Sequence, residues 1–132
     1  MAQQSNQTVK TFSAGASLTA GYVAAISGAN QAILHLTSTS HIIGIVEDDQ
    51  FNSDGAVSIV IAGTARAICA LSVSVGAIVG PQTATAKIVE RAIPLTVTSD
   101  MGKSVGIALQ SGSTNSSIEV LIQVANNSAR IP

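Results

Sequence analysis

The residues best suited to chemistry in this 132-residue sequence form one acidic stretch, residues 47–55, which reads Glu-Asp-Asp-Gln-Phe-Asn-Ser-Asp-Gly. Carboxylates and amides are ligands that Ca²⁺ favours, so we compare the stretch with an EF-hand loop. Gln50, Asn52 and Asp54 can occupy the first, third and fifth loop positions. The first position then lacks a carboxylate, and Ile61 stands where the bidentate glutamate is needed. The alternative to a calcium site is a solvated loop in which the final Asp-Gly pair makes the turn.

The other reactive side chains do not form a constellation for catalysis. His35 and His41 are six positions apart without a further histidine or a cysteine at ligand spacing, so each is expected to be a neutral surface or core residue. Cys69 is the only cysteine and is expected to be a small buried hydrophobe. The sequence contains no phosphate-binding loop. Apart from the open question of the acidic loop, it predicts no metal, no cofactor, no catalytic residue and no enzymatic activity.

The composition indicates a chain whose surface is largely covered by other chains. Only 10% of the residues are charged, against about 25–35% on the surface of a typical small domain, and 46% are hydrophobic, with a formal net charge of −1. Nucleic-acid binding needs a positive patch, and the six basic residues do not cluster, so no nucleic-acid partner is expected. Aromatic residues make up 2% of the chain, which leaves few platforms for stacking on sugars or bases.

Residues 56–80 form a nearly uncharged segment that is long enough to suggest a membrane helix. Arg66 lies near its middle, three glycines interrupt it, and the run Leu-Ser-Val-Ser-Val from Leu71 alternates with a period of two. These features favour consecutive short strands and no membrane insertion. The first residues lack the basic and apolar regions of a signal peptide, which favours synthesis in a cytoplasm.

One sequence pattern occurs twice. The first copy reads His-Ile-Ile-Gly-Ile-Val-Glu from His41, then a polar loop, then Ala-Val-Ser-Ile-Val-Ile-Ala-Gly from Ala56. The second reads Ser-Val-Gly-Ile-Ala-Leu from Ser104, then a polar loop, then Ile-Glu-Val-Leu-Ile from Ile118. The copies are offset by 62 positions before the loop and 61 after it, and a shorter pair of motifs preceding them is offset by 55. Aliphatic runs separated by Asn, Asp, Ser and Gly are typical of strands joined by turns, so the repetition predicts two related β halves.

The whole chain predicts an all-β fold, either a small β-barrel or a jelly-roll-like sandwich of short strands with two weakly repeated halves. We place a flexible N-terminal arm at residues 1–8, a single β domain at residues 9–126 and a C-terminal tail at residues 127–132. Within the domain, the Gly-Pro pair at 80–81 predicts a turn. Residues 93–98 predict a short strand at a sheet edge or strand start, because the proline in this run cannot donate a backbone hydrogen bond.

Six short apolar motifs recur along the chain in a recognisable order. They are Ala-Gly-Tyr-Val-Ala-Ala-Ile (20–26), Ile-Gly-Ile-Val-Glu (43–47), Val-Ser-Ile-Val-Ile-Ala-Gly (57–63), Val-Gly-Ala-Ile (75–78), Val-Gly-Ile-Ala-Leu (105–109) and Ile-Glu-Val-Leu-Ile (118–122). This succession resembles the small head decoration, or capsid cement, proteins of tailed bacteriophages over roughly residues 12–124. The resemblance implies a homotrimer on the outer surface of the virion head, bound to the major capsid protein at threefold positions. There it would stabilise the shell against the pressure of packaged DNA.

The resemblance also implies that the N-terminal arm extends to neighbouring subunits. An exposed arm with apolar anchors could add to the sheet edge of a neighbour, and our candidate capsid contacts are Gln3, Gln4, Asn6, Val9 and Phe12. An arm that makes no contact is the alternative. A second reading of the whole chain is a virion adhesion or glycan-binding module, and the scarcity of aromatic side chains counts against it.

Overall fold

The computed structural model describes residues 7–36, 41–82, 85–91 and 103–126, and within these ranges the chain forms nine strands and no helix. The strands are β1 (Gln7–Ala14), β2 (Val23–Gly28), β3 (Gln31–Leu34), β4 (His41–Val46), β5 (Ala56–Ile68), β6 (Ile78–Pro81), β7 (Ile88–Glu90), β8 (Ser104–Ala108) and β9 (Ser117–Ala125). The prediction of an all-β fold is therefore confirmed. No helix in the described part of the chain could span a lipid bilayer.

The first five strands close into a small barrel. β1 pairs with β3, β3 with β2, β2 with β4 and β4 with β5, and β5 pairs again with β1. Closure pairs β5 with β1 along nearly all of β1, while β3 reaches β1 only at Ser13 and Ala14. Apolar side chains that alternate along these strands point inward and form the core of the first barrel. That core consists of Phe12, Ala14, Leu18, Ala24, Ala32, Val46, Val57 and Ile59.

The second half is built around the same central strand. β5 has 13 residues, of which residues 56–63 pair with β1 and residues 63–68 pair with β9. From β9 the sheet continues through β8 and β6 to β7. A parallel bridge between Cys69 and Ile88 then links β7 back to the residue that follows β5. The second half therefore repeats the strand order of the first, with β5 as the last strand of one and the first of the other.

The hydrogen bonds of the two halves correspond at the offsets that the sequence predicts. The N–H of Gly21 donates to Val46 O at 2.9 Å, and the N–H of Gly76 donates to Ala108 O at 2.8 Å, at offsets of 55 and 62. The paired loops also match, because an antiparallel bridge joins Leu18 to Gln50 in the first half and Val73 to Gly112 in the second. The prediction of two repeated halves is confirmed.

β2 and β3 form an antiparallel pair joined by the turn at Ala29 and Asn30. The strand boundaries also correct one sequence expectation. The predicted turn at residues 80–81 is wrong, because Gly80 and Pro81 lie inside β6 and Pro81 pairs with Ile88. Gly80 allows a close approach there, since a Cβ at this position would lie 2.6 Å from Lys103 O. The predicted strand at 93–98 lies outside the described residues.

The predicted domain boundaries fall close to the ends of the described chain. β1 begins at Gln7, so the last two residues of the predicted arm, Gln7 and Thr8, pair with Gly63 and Ala62 of β5. Residues 1–6 of the arm and the predicted tail at 127–132 lie outside the described residues.

Candidate functional site

The acidic loop between β4 and β5 uses its polar groups to hold the backbone of the first barrel. The Asp49 carboxylate accepts the N–H of Ala20 at 2.8 Å. The Gln50 side chain donates to Ala56 O at 2.8 Å and accepts the N–H of Asn52 at 3.0 Å, which closes the loop on itself. Asp54 has a φ of 69°, the left-handed conformation that a tight turn requires. The arrangement is that of the turn-forming alternative, and no cluster of three or more His, Cys, Asp and Glu in the described ranges could hold a metal ion.

The two histidines and the cysteine have different surroundings. His35 is buried, and its backbone N–H donates to Val23 O at 2.9 Å. His41 is exposed at the start of β4. Cys69 is fully buried, as the sequence predicts, and desolvation raises the pKa of its thiol above the ordinary value of 9.0. A buried thiol of raised pKa is a poor nucleophile, because the thiolate is the reactive form.

The candidate capsid contacts divide between the surface, the core and the part of the chain that the structure does not describe. Val9 is 41% exposed on β1, so it is available to a partner. Phe12 is only 7% exposed and packs in the core of the first barrel, with the Lys10 ammonium 5.5 Å from its ring centroid. It therefore stabilises the barrel and does not anchor an exposed arm. Gln3, Gln4 and Asn6 lie outside the described residues.

β1 keeps one side available over most of its length in the described pairings. Residues along the whole strand pair with β5, whereas β3 pairs only with Ser13 and Ala14 at its end. Backbone groups that are not used by a neighbouring strand can pair with a strand from another chain. The part of β1 that carries Val9 is thus suited to strand addition.

A groove of about 360 Å³ lies where the two halves meet. It is lined by Gln7, Ala20, Gly21, Val46, Glu47, Val60, Ala65, Arg66, Ile68 and Ser117. The Arg66 guanidinium donates through Nε to Ser117 Oγ at 3.0 Å and through Nη2 to Ser117 O at 2.7 Å, so it ties β5 to the start of β9. In the sequence, Arg66 served only as an argument against a membrane helix. The signal for its role in joining β5 to β9 was that it is a lone arginine in an uncharged run.

Exposed hydrophobic side chains are the most prominent surface feature of the described chain. They are Val9, Ile26, Leu36, Phe51, Leu71, Val75 and Leu109. Phe51 is 65% exposed in the acidic loop and Val75 is 63% exposed in the loop between β5 and β6. Sequence analysis missed both, because exposure depends on which face of a loop meets the barrel. Each of these side chains is available for contact with another protein.

Comparison with known proteins places the fold. No family model matches the chain, and no curated protein matches it. Among solved structures, the head fiber gp8.5 N base of bacteriophage phi29 is similar, with a TM-score of 0.66 over 95% of this chain and 99% of that chain at 14% sequence identity. The likeness extends over nearly the whole of both chains, so this protein has the small β-barrel fold of that phage head-fiber base.

Proposed function

We propose that the protein is a capsid decoration protein of a tailed bacteriophage, which binds the outer surface of the head at threefold positions and stabilises the shell against internal DNA pressure. The observation that carries the proposal is the end-to-end likeness in fold to the head-fiber base of phage phi29. The motifs that resemble capsid cement proteins support the same role, and they lie on the strands and turns that the two halves share.

The surface supports a role in protein contact. Large apolar side chains such as Phe51 and Val75 are exposed, while only 10% of the chain is charged. Exposed apolar side chains of this size are available for contact with a partner. The reactive side chains that could suggest an enzyme are used otherwise, since Asp49 holds a backbone N–H and Cys69 is buried.

The partner in this proposal is the major capsid protein, and the protein acts as a homotrimer. A rigid trimer attached at three equivalent points gains from multivalency, because the second and third attachments are effectively intramolecular. Expansion of the shell must then break several contacts together. Light scattering on purified protein is expected to give three times the 13.2 kDa mass of the chain. A monomer at micromolar concentration would contradict this part of the proposal.

The decisive experiment uses heads from a phage that encodes this chain and from a derivative lacking its gene. When purified protein is added to heads from the derivative, we expect electron cryomicroscopy to show restored density at the threefold positions. We also expect the heads to release DNA at a higher temperature. A variant of this protein that no longer binds heads serves as the control for nonspecific adsorption. Density at the tail alone, or heads that bind no protein, would refute the function.

The N-terminal arm is proposed as the first element to contact the capsid, through Gln3, Gln4, Asn6 and Val9. Because β1 begins at Gln7, removal of residues 2–6 leaves every described pairing of β1 in place. The shortened protein is expected to fold and to keep its oligomeric state while losing most of its occupancy on heads. Unchanged occupancy would show that the arm makes no essential contact.

A further inference from the structure

The barrel of the first half has one end that is covered by the last part of β5. We call this end the first mouth, and it consists of Ala20, Gly21, Val46 and Glu47, which all line the groove between the halves. The N–H of Ile68 donates to Gly21 O at 2.9 Å. A Cβ on Gly21 would lie 2.7 Å from Cγ1 of Ile68, so the isoleucine is seated directly on this glycine.

The covering segment is the second-half counterpart of β1. The N–H of Ala14 donates to Gly55 O at 2.8 Å, and the N–H of Cys69 donates to Ser116 O at 2.8 Å, so residues 62–68 of β5 correspond to residues 7–13 of β1. The mouth of the first half is thus covered by the first strand of the half that follows it. Within the described residues, no third half follows the second.

The second half has a mouth of the same construction. This second mouth consists of Val75, Gly76, Ala108 and Leu109, at offsets of 55 and 62 from the first mouth. Gly76 has a φ of 86°, against 88° for Gly21. Among the described residues, however, no atom lies within 4 Å of a Cβ placed on Gly76, and no N–H donates to Gly76 O. The two positions that Ile68 fills in the first mouth are therefore open in the second.

The second mouth is also more apolar than the first. Leu109 stands where the first mouth has Glu47, and Val75 stands where it has Ala20. Both replacements are well exposed, with 63% of Val75 and 41% of Leu109 accessible. In a protein built from repeats, the outer face of a terminal repeat is polar because it meets water. The second mouth has the opposite character, which indicates a surface that a partner covers.

β1 has an open edge that can cover a mouth. The N–H of Ser13 donates to Asn30 O at 2.8 Å, beside β3, whereas the N–H of Ala14 donates to the opposite side, beside β5. Because the direction of the N–H alternates along a strand, the N–H groups of Val9 and Thr11 also point away from β5. β3 pairs with β1 only at Ser13 and Ala14, so this part of the edge is open. Val9 is its aliphatic residue and is 41% exposed.

The charges beside the two surfaces are complementary. Glu90 lies next to the second mouth, because its Oε2 accepts the N–H of Ser74 at 2.6 Å. Lys10 is exposed on β1. The covered first mouth has the same arrangement, with the carboxylate of Glu47 on the mouth and the guanidinium of Arg66 on the covering strand, both lining the groove. A cation on β1 therefore suits the surroundings of the second mouth.

We propose that β1 of a second copy of this chain covers the second mouth, with Val9 seated over Gly76 and its N–H donating to Gly76 O, as Ile68 does at Gly21. At Ser13, the counterpart of Ile68, the edge is closed by β3. The contact therefore lies nearer to the start of β1 than the repeat offset alone would place it.

The inference rests on the homotrimer of the proposed function and specifies its contact. Each copy covers the second mouth of one neighbour and is covered by β1 of another. A head-to-tail interface of this kind closes into a ring when the rotation permits. Val9 then lies between copies, and the contacts of the arm with the capsid are left to the residues before β1.

A disulfide trap between different chains tests the contact. Val9→Cys and Val75→Cys are made as separate proteins, one with a tag that raises its mass, and are co-expressed and oxidised mildly. Cys69 stays in place because it is buried. We expect a covalent dimer of one tagged and one untagged chain on a non-reducing gel, and no dimer from either variant alone. Dimers of like chains only, or no dimer at all, would overturn the proposal.

Light scattering gives a second measurement that does not depend on oxidation. Val9→Glu is expected to shift the mass from that of the trimer toward that of the monomer, because a carboxylate replaces the side chain over Gly76. Phe51→Glu, at a residue that is 65% exposed on another surface, is the matched control and should keep the trimer. A Val9→Glu variant with the full trimer mass would refute the contact.

The outcomes for this contact and for the proposed function are distinguishable. A mixed covalent dimer formed by a protein that does not bind heads supports the contact and refutes only decoration. Restored density on heads without a mixed dimer refutes only the contact.

Discussion

At the scale of single residues, two glycines show why the same short motif occurs in both halves. Gly44 on β4 and Gly106 on β8 are both buried, and each faces the backbone of the next strand. A Cβ on Gly44 would overlap Val60 O, and a Cβ on Gly106 would overlap Leu121 O. The strands approach so closely at these points that a side chain of any size is excluded.

Gly44→Ala and Gly106→Ala are each expected to lower the free energy of unfolding by about 3 kcal/mol, the upper part of the range for overpacked sites, because the new methyl group meets rigid backbone. Gly28→Ala is the matched control. Its Cβ would meet only the Gln31 side chain at 3.4 Å, and a change of less than about 1 kcal/mol is expected there. Urea unfolding followed by circular dichroism measures all three. Equal effects at the three sites would contradict the role of close approach.

The buried thiol of Cys69 gives a prediction about alkaline pH. Desolvation raises its pKa above 9.0, so the folded protein keeps the thiol protonated where the unfolded chain ionises it. The stability due to this difference is complete below pH 9 and is lost as the pH rises toward the folded pKa, at up to about 1.4 kcal/mol per pH unit. The free energy of unfolding of the wild type should therefore fall relative to that of Cys69→Ala above pH 9. A constant difference between pH 7 and 10 would contradict it.

Residue-level expectations succeeded where local sequence decides the outcome. Asp54 adopts the turn conformation that an Asp-Gly pair predicts, and Cys69 is buried as its apolar neighbours indicate. Phe12 is different, because the direction of its side chain depends on how β1 pairs with β5 across some 45 residues of chain. Gly80 is different too, since the close contacts that require a glycine there come from Arg91 and Lys103.

At the scale of elements, a side chain in one long loop of each half accepts a backbone hydrogen bond from another loop; we call this hydrogen bond the clasp. In the first barrel Asp49 accepts the N–H of Ala20, and at the corresponding place in the second barrel Ser111 Oγ accepts the N–H of Val75 at 3.2 Å. In each half, the clasp joins the loop after the first strand to the loop before the last strand. The acidic loop thus has a structural role in the first barrel.

Asp49→Ala is expected to lower the free energy of unfolding by about 1 kcal/mol, because the N–H of Ala20 loses a charged acceptor that is partly exposed to water. Asp48→Ala, a change of the same charge at the neighbouring exposed residue, is the control and should have almost no effect. Chemical denaturation measures both variants. An equal loss for the two would show that overall charge, and not the clasp, is responsible.

The repetition of elements could be predicted from sequence, but their connection could not. The offsets of 55, 61 and 62 positions are visible in the motifs and fix which strands correspond. The double role of β5 is not visible, because its two halves read as a continuous aliphatic run. The division of β5 between the two halves depends on the left-handed backbone at Gly63 and on the parallel bridge between Cys69 and Ile88. Neither feature produces a periodic pattern in the sequence.

At the scale of the whole molecule, the two halves share both a strand and a core. Val23, Ile45 and Val60 of the first barrel belong to the same apolar cluster as Val79 and Ile88 of the second. The N–H of Val23 also donates to Ala86 O at 2.8 Å across the boundary. Neither half can unfold without exposing apolar surface of the other, so cooperative units that coincide with single barrels are not expected.

This coupling predicts a single unfolding transition that a glycine substitution in either half displaces completely. In Gly44→Ala and in Gly106→Ala, the whole circular dichroism amplitude should move to lower urea concentration, with an unchanged dependence of the free energy on denaturant, because the surface exposed on unfolding is the same. Two independent barrels would instead give two steps, of which only the step of the substituted half would move. Such a biphasic curve in either variant would contradict the coupling through β5 and would mean that the shared strand can leave one barrel while remaining paired in the other.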